Sequence, residues 1–294
     1  MTHATTHVLR RRWQAPRSDG GLLDSPRLAE AGEVAARNRD LLLSSSVVID
    51  GQPLPALRAK ARTEALLAGR RFLSELSGGQ FASAAPCCCH ADFEQRVRDS
   101  LWFVSGHQPV LTHAGVWVKN IAAALLAEKH SGLGANLIVD QDVISSRAIS
   151  VPLGPAEAPR LATVAFDEPA GARPGEEARI GDLDQFRQFS DTLSEIIRRE
   201  WGYTPLVGDV WPAAVKEAHA TRRLTRALSA ARIALERRHG LNNAEIELSS
   251  ISCTSAFLHF FRHIATHAAE FREAYNRHLA EYRRVNHVQS TAHP

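Results

Sequence analysis

Two short apolar runs decide how this chain folds: Leu101-Trp-Phe-Val-Ser105, which ends at Gly106, and Asn136-Leu-Ile-Val-Asp140. Both are rich in β-formers and have the length and composition of buried strands. Between them, His113 to His130 has helical composition and stops at Ser131-Gly132. Strand, loop, helix and strand over about 40 residues make a βαβ unit, and its two strands are expected to lie parallel and adjacent.

Working outward, Ala148 to Val151 and Leu161 to Phe166 read as further strands, separated by a Pro- and Gly-bearing turn at Pro152 to Pro159. Pro169 to Gly181 reads as a loop. Three helices are expected after it, over Asp182 to Trp201, Trp211 to His239 and Ser252 to Arg284. The second carries Leu224, Leu228, Ala231 and Leu235 at helical spacing on one face.

Upstream, Ser25 to Ser46 has an N-cap serine followed by Pro26, and Pro55 to Leu76 is closed by Ser77-Gly78-Gly79. These two helices are expected to form a hairpin, followed by a loop from Gly79 to His90. The fold class expected is α/β: a Rossmann-like small parallel sheet with a large helical portion, helix-rich overall. The organisation expected is a flexible tail over 1–20, an α/β core with the helical hairpin over 21–167, and a mainly helical region over 168–294. The chain ends at Thr291-Ala292-His293-Pro294 directly after a long helix, and is expected to be a shortened form.

With 294 residues, 44% of them apolar and 23% charged, the chain is not a disordered or collagen-like sequence. Its longest apolar stretches, such as Ile121 to Ala127, fall far short of the roughly 20 residues of a membrane span. The net charge is +3, and only four of the 35 basic residues are lysines (Lys60, Lys119, Lys129, Lys216). Positive residues alternate with acids, as over Arg187 to Arg199, so no basic stripe marks a nucleic-acid partner. Three of the four cysteines are adjacent (Cys87, Cys88, Cys89, with Cys253 apart), a poor disulfide framework that points to a reducing, cytoplasmic setting. Arg10, Arg11 and Arg12 have no apolar run behind them and so do not open a secretory signal.

The chemistry is concentrated in Ser105-Gly-His-Gln-Pro-Val-Leu-Thr-His-Ala-Gly-Val-Trp-Val-Lys-Asn120. A loop from a strand into a helix N-terminus presents backbone N–H groups and the positive end of the helix dipole to an anion. Gly106 and Gly115 leave room for close backbone approach. His107 and His113 can donate to a phosphate or a developing oxyanion. Gln108 belongs to the same loop, and Lys119 lies one turn past Gly115 on the same helix face. Asp140 and Asp142, two apart at a strand's carboxyl end, are expected to share a face there and to serve as general base for an amine, or to hold Mg²⁺. Arg147 is a candidate cation at the same mouth.

Two other clusters read as unremarkable. Adjacent side chains diverge, so Cys87-Cys88-Cys89-His90 does not match a zinc site. His259, His263 and His267 form a ladder opposite an expected core stripe of Phe257, Phe261, Ala265, Ala268, Tyr275 and Leu279, and are expected to face water or a partner. No metal site is expected.

His113-Ala114-Gly115 resembles the first three positions of the His-x-Gly-His signature of the nucleotidyltransferase and class I aminoacyl-tRNA synthetase superfamily, with Val116 in place of the last histidine. A longer stretch, from Val104 to about Asp142, resembles the cysteine ligases of bacillithiol biosynthesis. Gly106, Gln108, Leu111, Trp117, Lys119 and Asp140-Gln141-Asp142 are similar in order and spacing to that family's Gly-Gln-Gln-x-Gly-Leu loop, its helix with an aromatic residue and a lysine, and its acidic cluster. The chain is also similar to large, uncharacterised bacterial proteins with Gly-His-Gln-Pro and Glu-(Leu/Ile)-Glu-Leu segments, here Gly106 to Pro109 and Glu245 to Leu248.

The resemblance implies a ligase or transferase that acts on a small amine- or amino-acid-like substrate, with Gly106 to Lys119 handling the anion and Asp140 or Asp142 accepting the proton. ATP and Mg²⁺ are the cofactors such chemistry would accommodate, and the sequence specifies neither. The alternatives are a non-catalytic protein that binds a nucleotide or small molecule, and an Arg-rich helical interaction protein.

Overall fold

The computed structural model describes residues 16–82, 93–110, 114–144, 146–155 and 157–290. Its centre is a three-stranded parallel sheet in the order β3 (Trp102–His107), β4 (Leu133–Ile138), β9 (Ala244–Glu247). Helix α4 (Ala114–Lys129) makes the crossover from β3 to β4, so the expected βαβ unit is present. The chain is α/β and helix-rich around this small sheet. Its third strand comes from the C-terminal region expected to be helical, so the sheet draws on both expected regions.

The pleat divides the sheet's residues between two faces. On one face, Leu133, Ala135, Leu137, Ala244 and Ile246 meet Ala65 and Leu66 of α2 (Leu54–Glu75). Gly69 of α2 lies so close to β9 that a Cβ would stand 2.9 Å from the Glu245 carbonyl oxygen, which requires glycine there. On the other face, Phe103 packs on Ala123 and Ala127 of α4.

The middle of that second face is polar. Ser105, Asn136 and Glu245 are register partners across the three strands, and all are buried. Asn136 donates to Glu245 (2.9 Å), Ser105 donates to Asn120 of α4 (2.7 Å), and Asn120 donates to Glu236 (2.8 Å) of α7 (Leu224–Arg238). Arg232 of α7 closes the network on Glu236 (2.9 Å) and Glu245 (2.6 Å).

A second and larger core lies beside the sheet. The antiparallel hairpin of β6 (Ala148–Leu153) and β7 (Arg160–Ala165) packs with α5 (Leu183–Trp201), α6 (Val207–Thr221) and α7. Helix α5 is capped by Asp182, whose side chain accepts from the amides of Asp184 and Gln185, and it ends at Gly202 in the left-handed region. Trp211 is 1% exposed and donates its indole N–H to the Phe186 carbonyl (2.6 Å), with ring centroids 4.6 Å from Phe186 and 4.7 Å from Phe189. Trp211→Ala should lower stability by about 3–5 kcal/mol in urea denaturation, the cost of emptying so large a buried volume. A loss below about 1 kcal/mol would show that this core is not cooperative with the fold.

Two expected helices are broken. The helix expected over Trp211 to His239 divides into α6 and α7 at Arg222, which has φ +55°. The break is fixed by pairing with another segment, since the Ile180 amide donates to the Arg222 carbonyl and the Leu224 amide to the Ala178 carbonyl. Leu224, Leu228, Ala231 and Leu235 remain on one buried face of α7.

The helix expected over Ser252 to Arg284 divides into α9 (Ser255–Thr266) and α10 (Ala268–Asn286), with the break at His267, and a short α8 (Leu248–Ser252) precedes it. The expected core stripe is not a core here: Phe261 is 59% exposed, Tyr275 is exposed, and no described residue of α10 is buried. His259 and His263 instead face the protein, while His267 is exposed and meets the His263 carbonyl of its own helix. Asp50, at the turn between β1 (Val48–Ile49) and β2 (Gln52–Pro53), holds His259 Nδ1 at 2.8 Å and Arg262 Nε at 2.8 Å, and its amide donates to His263 Nδ1 (3.2 Å). That small turn separates α1 (Ala31–Leu43) from α2, the two helices expected to form the hairpin. No helix among the described residues is long and apolar enough to cross a membrane.

Candidate functional site

The carboxyl ends of β3, β4 and β9 meet at one edge of the sheet, the edge at which open α/β sheets bind ligands. β3 delivers His107 and then Gln108. His107 is half-buried, with Nδ1 3.3 Å from the Gln108 carbonyl oxygen. A Cβ at Gly106 would stand 3.2 Å from Leu137 Cβ and 3.3 Å from the Leu137 carbonyl oxygen, so a side chain there would press on the neighbouring strand.

Gly115 and Lys119 are exposed one turn apart on α4. His113 and Leu111 lie outside the described residues, as do Cys87, Cys88, Cys89, His90, residues 1–15 of the N-terminal tail and the last four residues.

The two aspartates do not share a face. β4 ends at Ile138, two residues before the expected end, so Asp140 and Asp142 sit in a turn where strand alternation no longer applies. Asp142 is exposed and accepts from Gln108 Nε2 (2.6 Å) and from the Val143 amide (2.8 Å). These two bonds, the first above all, hold its carboxyl below the usual range. Gln108 also lines a cavity of about 350 Å³ with Val110, Val143, Ser146 and Phe166.

Asp140 is 0% exposed and turns towards α8, where it accepts from the amide (2.9 Å) and the hydroxyl of Ser249. This is the geometry of a helix cap, and it anchors the segment that follows β9. Asp140→Ala should cost about 1–3 kcal/mol of stability, read by thermal or urea unfolding, because it leaves two donors of α8 without their acceptor. An unchanged melting temperature would contradict this anchoring role.

Arg147 is not a free cation at the mouth. Its guanidinium is ion-paired to the fully buried Asp167 and donates to the Arg179 carbonyl (2.7 Å). Asp167 in turn accepts from the amides of Gly181 (3.0 Å) and Asp182 (2.9 Å), so the pair ties the hairpin to the start of α5.

A larger cavity, of about 630 Å³, opens beyond the end of β9. Glu64, Glu75, Glu176 and Glu247 line it, with Arg71 and Arg223 and the hydroxyls of Ser249, Ser250, Thr254 and Ser255. The turn carrying the two aspartates backs it. The Glu176 amide donates to the Asp140 carbonyl (2.7 Å), and Gln141 donates to Ser252 (3.0 Å).

Glu247, the last residue of β9, is only 7% exposed. Burial raises its carboxyl above the ordinary value of 4.5, a rise that Asp140 and Glu75 reinforce and that Arg223 and Arg226 oppose. The Arg223 guanidinium is 4.0 Å away. Arg226 is buried behind it, ion-paired with Glu217 (3.2 Å) and Glu75 (3.3 Å) and 5.4 Å from the centre of the Phe72 ring. Arg226 Nη2 and Arg223 Nε have no hydrogen-bond partner among the described residues.

Sequence reading did not single out Glu247, Arg223, Arg226, Glu75 or Glu176 as site residues. The signal for Glu247 was the alternation Ala244-Glu-Ile-Glu-Leu248, which spells a strand. The arginines come from the break between α6 and α7, which has no local signature.

Among the described residues, no group of three or more His, Cys, Asp or Glu side chains is placed to hold a metal ion. Comparison of the chain with protein-family models, curated proteins and solved structures finds no match.

Proposed function

We propose that the chain binds a small amine-bearing, amino-acid-like molecule in the 630 Å³ cavity at the carboxyl edge of the sheet and acts on it as a ligase or transferase. The observation that carries this reading is Glu247: a buried carboxylate, raised in pKa, on the wall of the cavity with the Arg223 guanidinium 4.0 Å away. A zwitterion is complementary to that arrangement, its acid towards Arg223 and its amine towards Glu247 and the other carboxylates of the wall. Glu247 would take the proton that the ammonium group must lose before it can attack an acyl or phosphoryl centre.

His107 and Gln108, at the end of β3 two strands along the same sheet edge, and Lys119 of α4 would handle the anionic partner of the reaction. Asp140 would position the site by anchoring α8. Asp142 would orient Gln108.

A second reading, binding without turnover, is favoured by one specific observation. Asp140 and Asp142, the carboxylates that the family resemblance offers as proton acceptors, are both already engaged by protein donors.

The test is calorimetric titration with a panel of amino acids and amino sugars, with and without MgATP, in two buffers of different ionisation enthalpy. Saturable binding of an amine is expected, and any net proton exchanged with the buffer reports a change in the ionisation of Glu247 or the amine on binding. Saturable binding with no turnover under any condition would favour the second reading. No binding of any amine would overturn both.

A further inference from the structure

The opposite end of the parallel sheet, where β3 begins, holds a crowd of arginines. The carboxyl end of α3 (Phe93–Asp99) meets Arg39 of α1 and Arg58 and Arg62 of α2. Arg62 donates to the carbonyls of Arg98 (2.7 Å) and Ser100 (2.8 Å), and Arg58 reaches the same Arg98 carbonyl at 3.4 Å. Among the described residues two carboxylates stand nearby, and each is taken: Asp40 by Arg39 (2.9 Å) and Asp99 by Arg98 (3.0 Å). Arg58 and Arg62 therefore have no carboxylate partner among the described residues.

The Arg62 guanidinium lies 4.4 Å from the centre of the Trp102 ring. Trp102 Nε1 and Ser100 Oγ are both buried with no hydrogen-bond partner among the described residues, an arrangement that costs free energy unless something else accepts from them. A cavity of about 360 Å³ opens here, lined by Arg39, Arg58, Arg62, Ser100 and Trp102, with Leu42 on its apolar side. Burial first, then repulsion from Arg58 and Arg39, push Arg62 down to about 9, and burial first, then Arg39, push Arg58 down, each against the opposing pull of Asp99.

We propose that this cavity is a binding site for an oxyanion with an apolar body, a phosphate monoester or a carboxylate, held by Arg58 and Arg39 over the Arg62–Trp102 stack. The volume exceeds that of a bare phosphate, and the apolar wall beside the guanidinium groups would hold a ring or a short chain. The site shares no residue with the cavity at Glu247 and stands independently of what happens there.

The test uses the full chain with three probes: phenyl phosphate, benzoate and inorganic phosphate. Binding is read by calorimetry and by the indole N–H resonance of Trp102, assigned with Trp102→Phe. Saturable binding of phenyl phosphate or benzoate with a shift of that resonance is expected, and the tighter of the two tells whether the natural group is phosphate or carboxylate. Arg58→Gln and Arg39→Gln should each weaken it at least about tenfold, the share of one charge-assisted hydrogen bond.

Absence of saturable binding of both organic probes to the wild-type chain would overturn the proposal. So would undiminished binding in an Arg58→Gln variant with a native circular dichroism spectrum. Inorganic phosphate binding as tightly as phenyl phosphate would overturn the assignment of an apolar body.

Discussion

Arg232→Met should cost about 3–5 kcal/mol of folding free energy, the largest stability effect expected of any single change in the sheet region, because it strands two buried carboxylates. Glu236 and Glu245 both contact the Arg232 guanidinium, and all three side chains are at least nine-tenths buried. Burial alone would push the guanidinium's pKa down, but Glu245 and then Glu236 more than reverse it, so the cation is held charged. Arg237 is occupied by the carbonyls of Leu241 and Asn243 and cannot replace Arg232 without giving those up. A domain of this kind is stable by about 5–15 kcal/mol, so the variant would be marginal. Adding Glu236→Gln and Glu245→Gln to Arg232→Met should recover part of the loss, since neutral amides need no cation. Urea denaturation of the single and triple variants measures both. A single-variant loss under about 1 kcal/mol would mean that the network is hydrated and not a closed bridge between sheet and helix.

Glu247→Gln should have the largest effect on activity, lowering kcat/KM for the amine identified by titration by about 10²–10⁴-fold, the usual contribution of a positioned general base. It should not unfold the protein. Because its carboxyl is raised in the folded state, Glu247 favours folding in its protonated form. That contribution is fully present below the unfolded value near 4.5 and is lost as pH rises through the higher folded value. At neutral pH the glutamine variant should therefore be as stable as the wild type or more so, and its stability should vary less between these two values. Equal turnover by the two proteins would remove Glu247 from the chemistry. A large loss of stability at neutral pH would show instead that its charge is structural.

The parts of the fold that could be read from the chain are those in which neighbouring residues agree. Leu101 to Ser105, the helix after it and Asn136 to Asp140 each announce their state locally, and β3, α4 and β4 lie within a few residues of those limits. β9 could not be read in the same way. Buried parallel strands are normally near-continuous apolar runs, whereas Glu245 and Glu247 interrupt this one. Their burial is tolerable only because Arg232, Asn136 and the arginines of the α6–α7 break, distant in sequence, stand opposite them.

The candidate site divides along the same line. The step from strand β3 into helix α4 was legible, because each of those elements announces itself in neighbouring residues. The direction of Asp140 and Asp142 was not, because it depends on β4 ending at Ile138. Nor was the role of Arg147, which is decided by Asp167, twenty residues further on. The break at Arg222 was invisible for a similar reason: its positive φ is imposed by pairing with residues 178–180.

The most direct test of the central claim is a crystal structure of the chain soaked with the amine that binds most tightly in the titration. Density is expected in the cavity beyond β9, with the acid group at Arg223 and the amine within hydrogen-bond reach of Glu247. Density confined to the cavity beside Gln108, with Glu247 uncontacted, would contradict it.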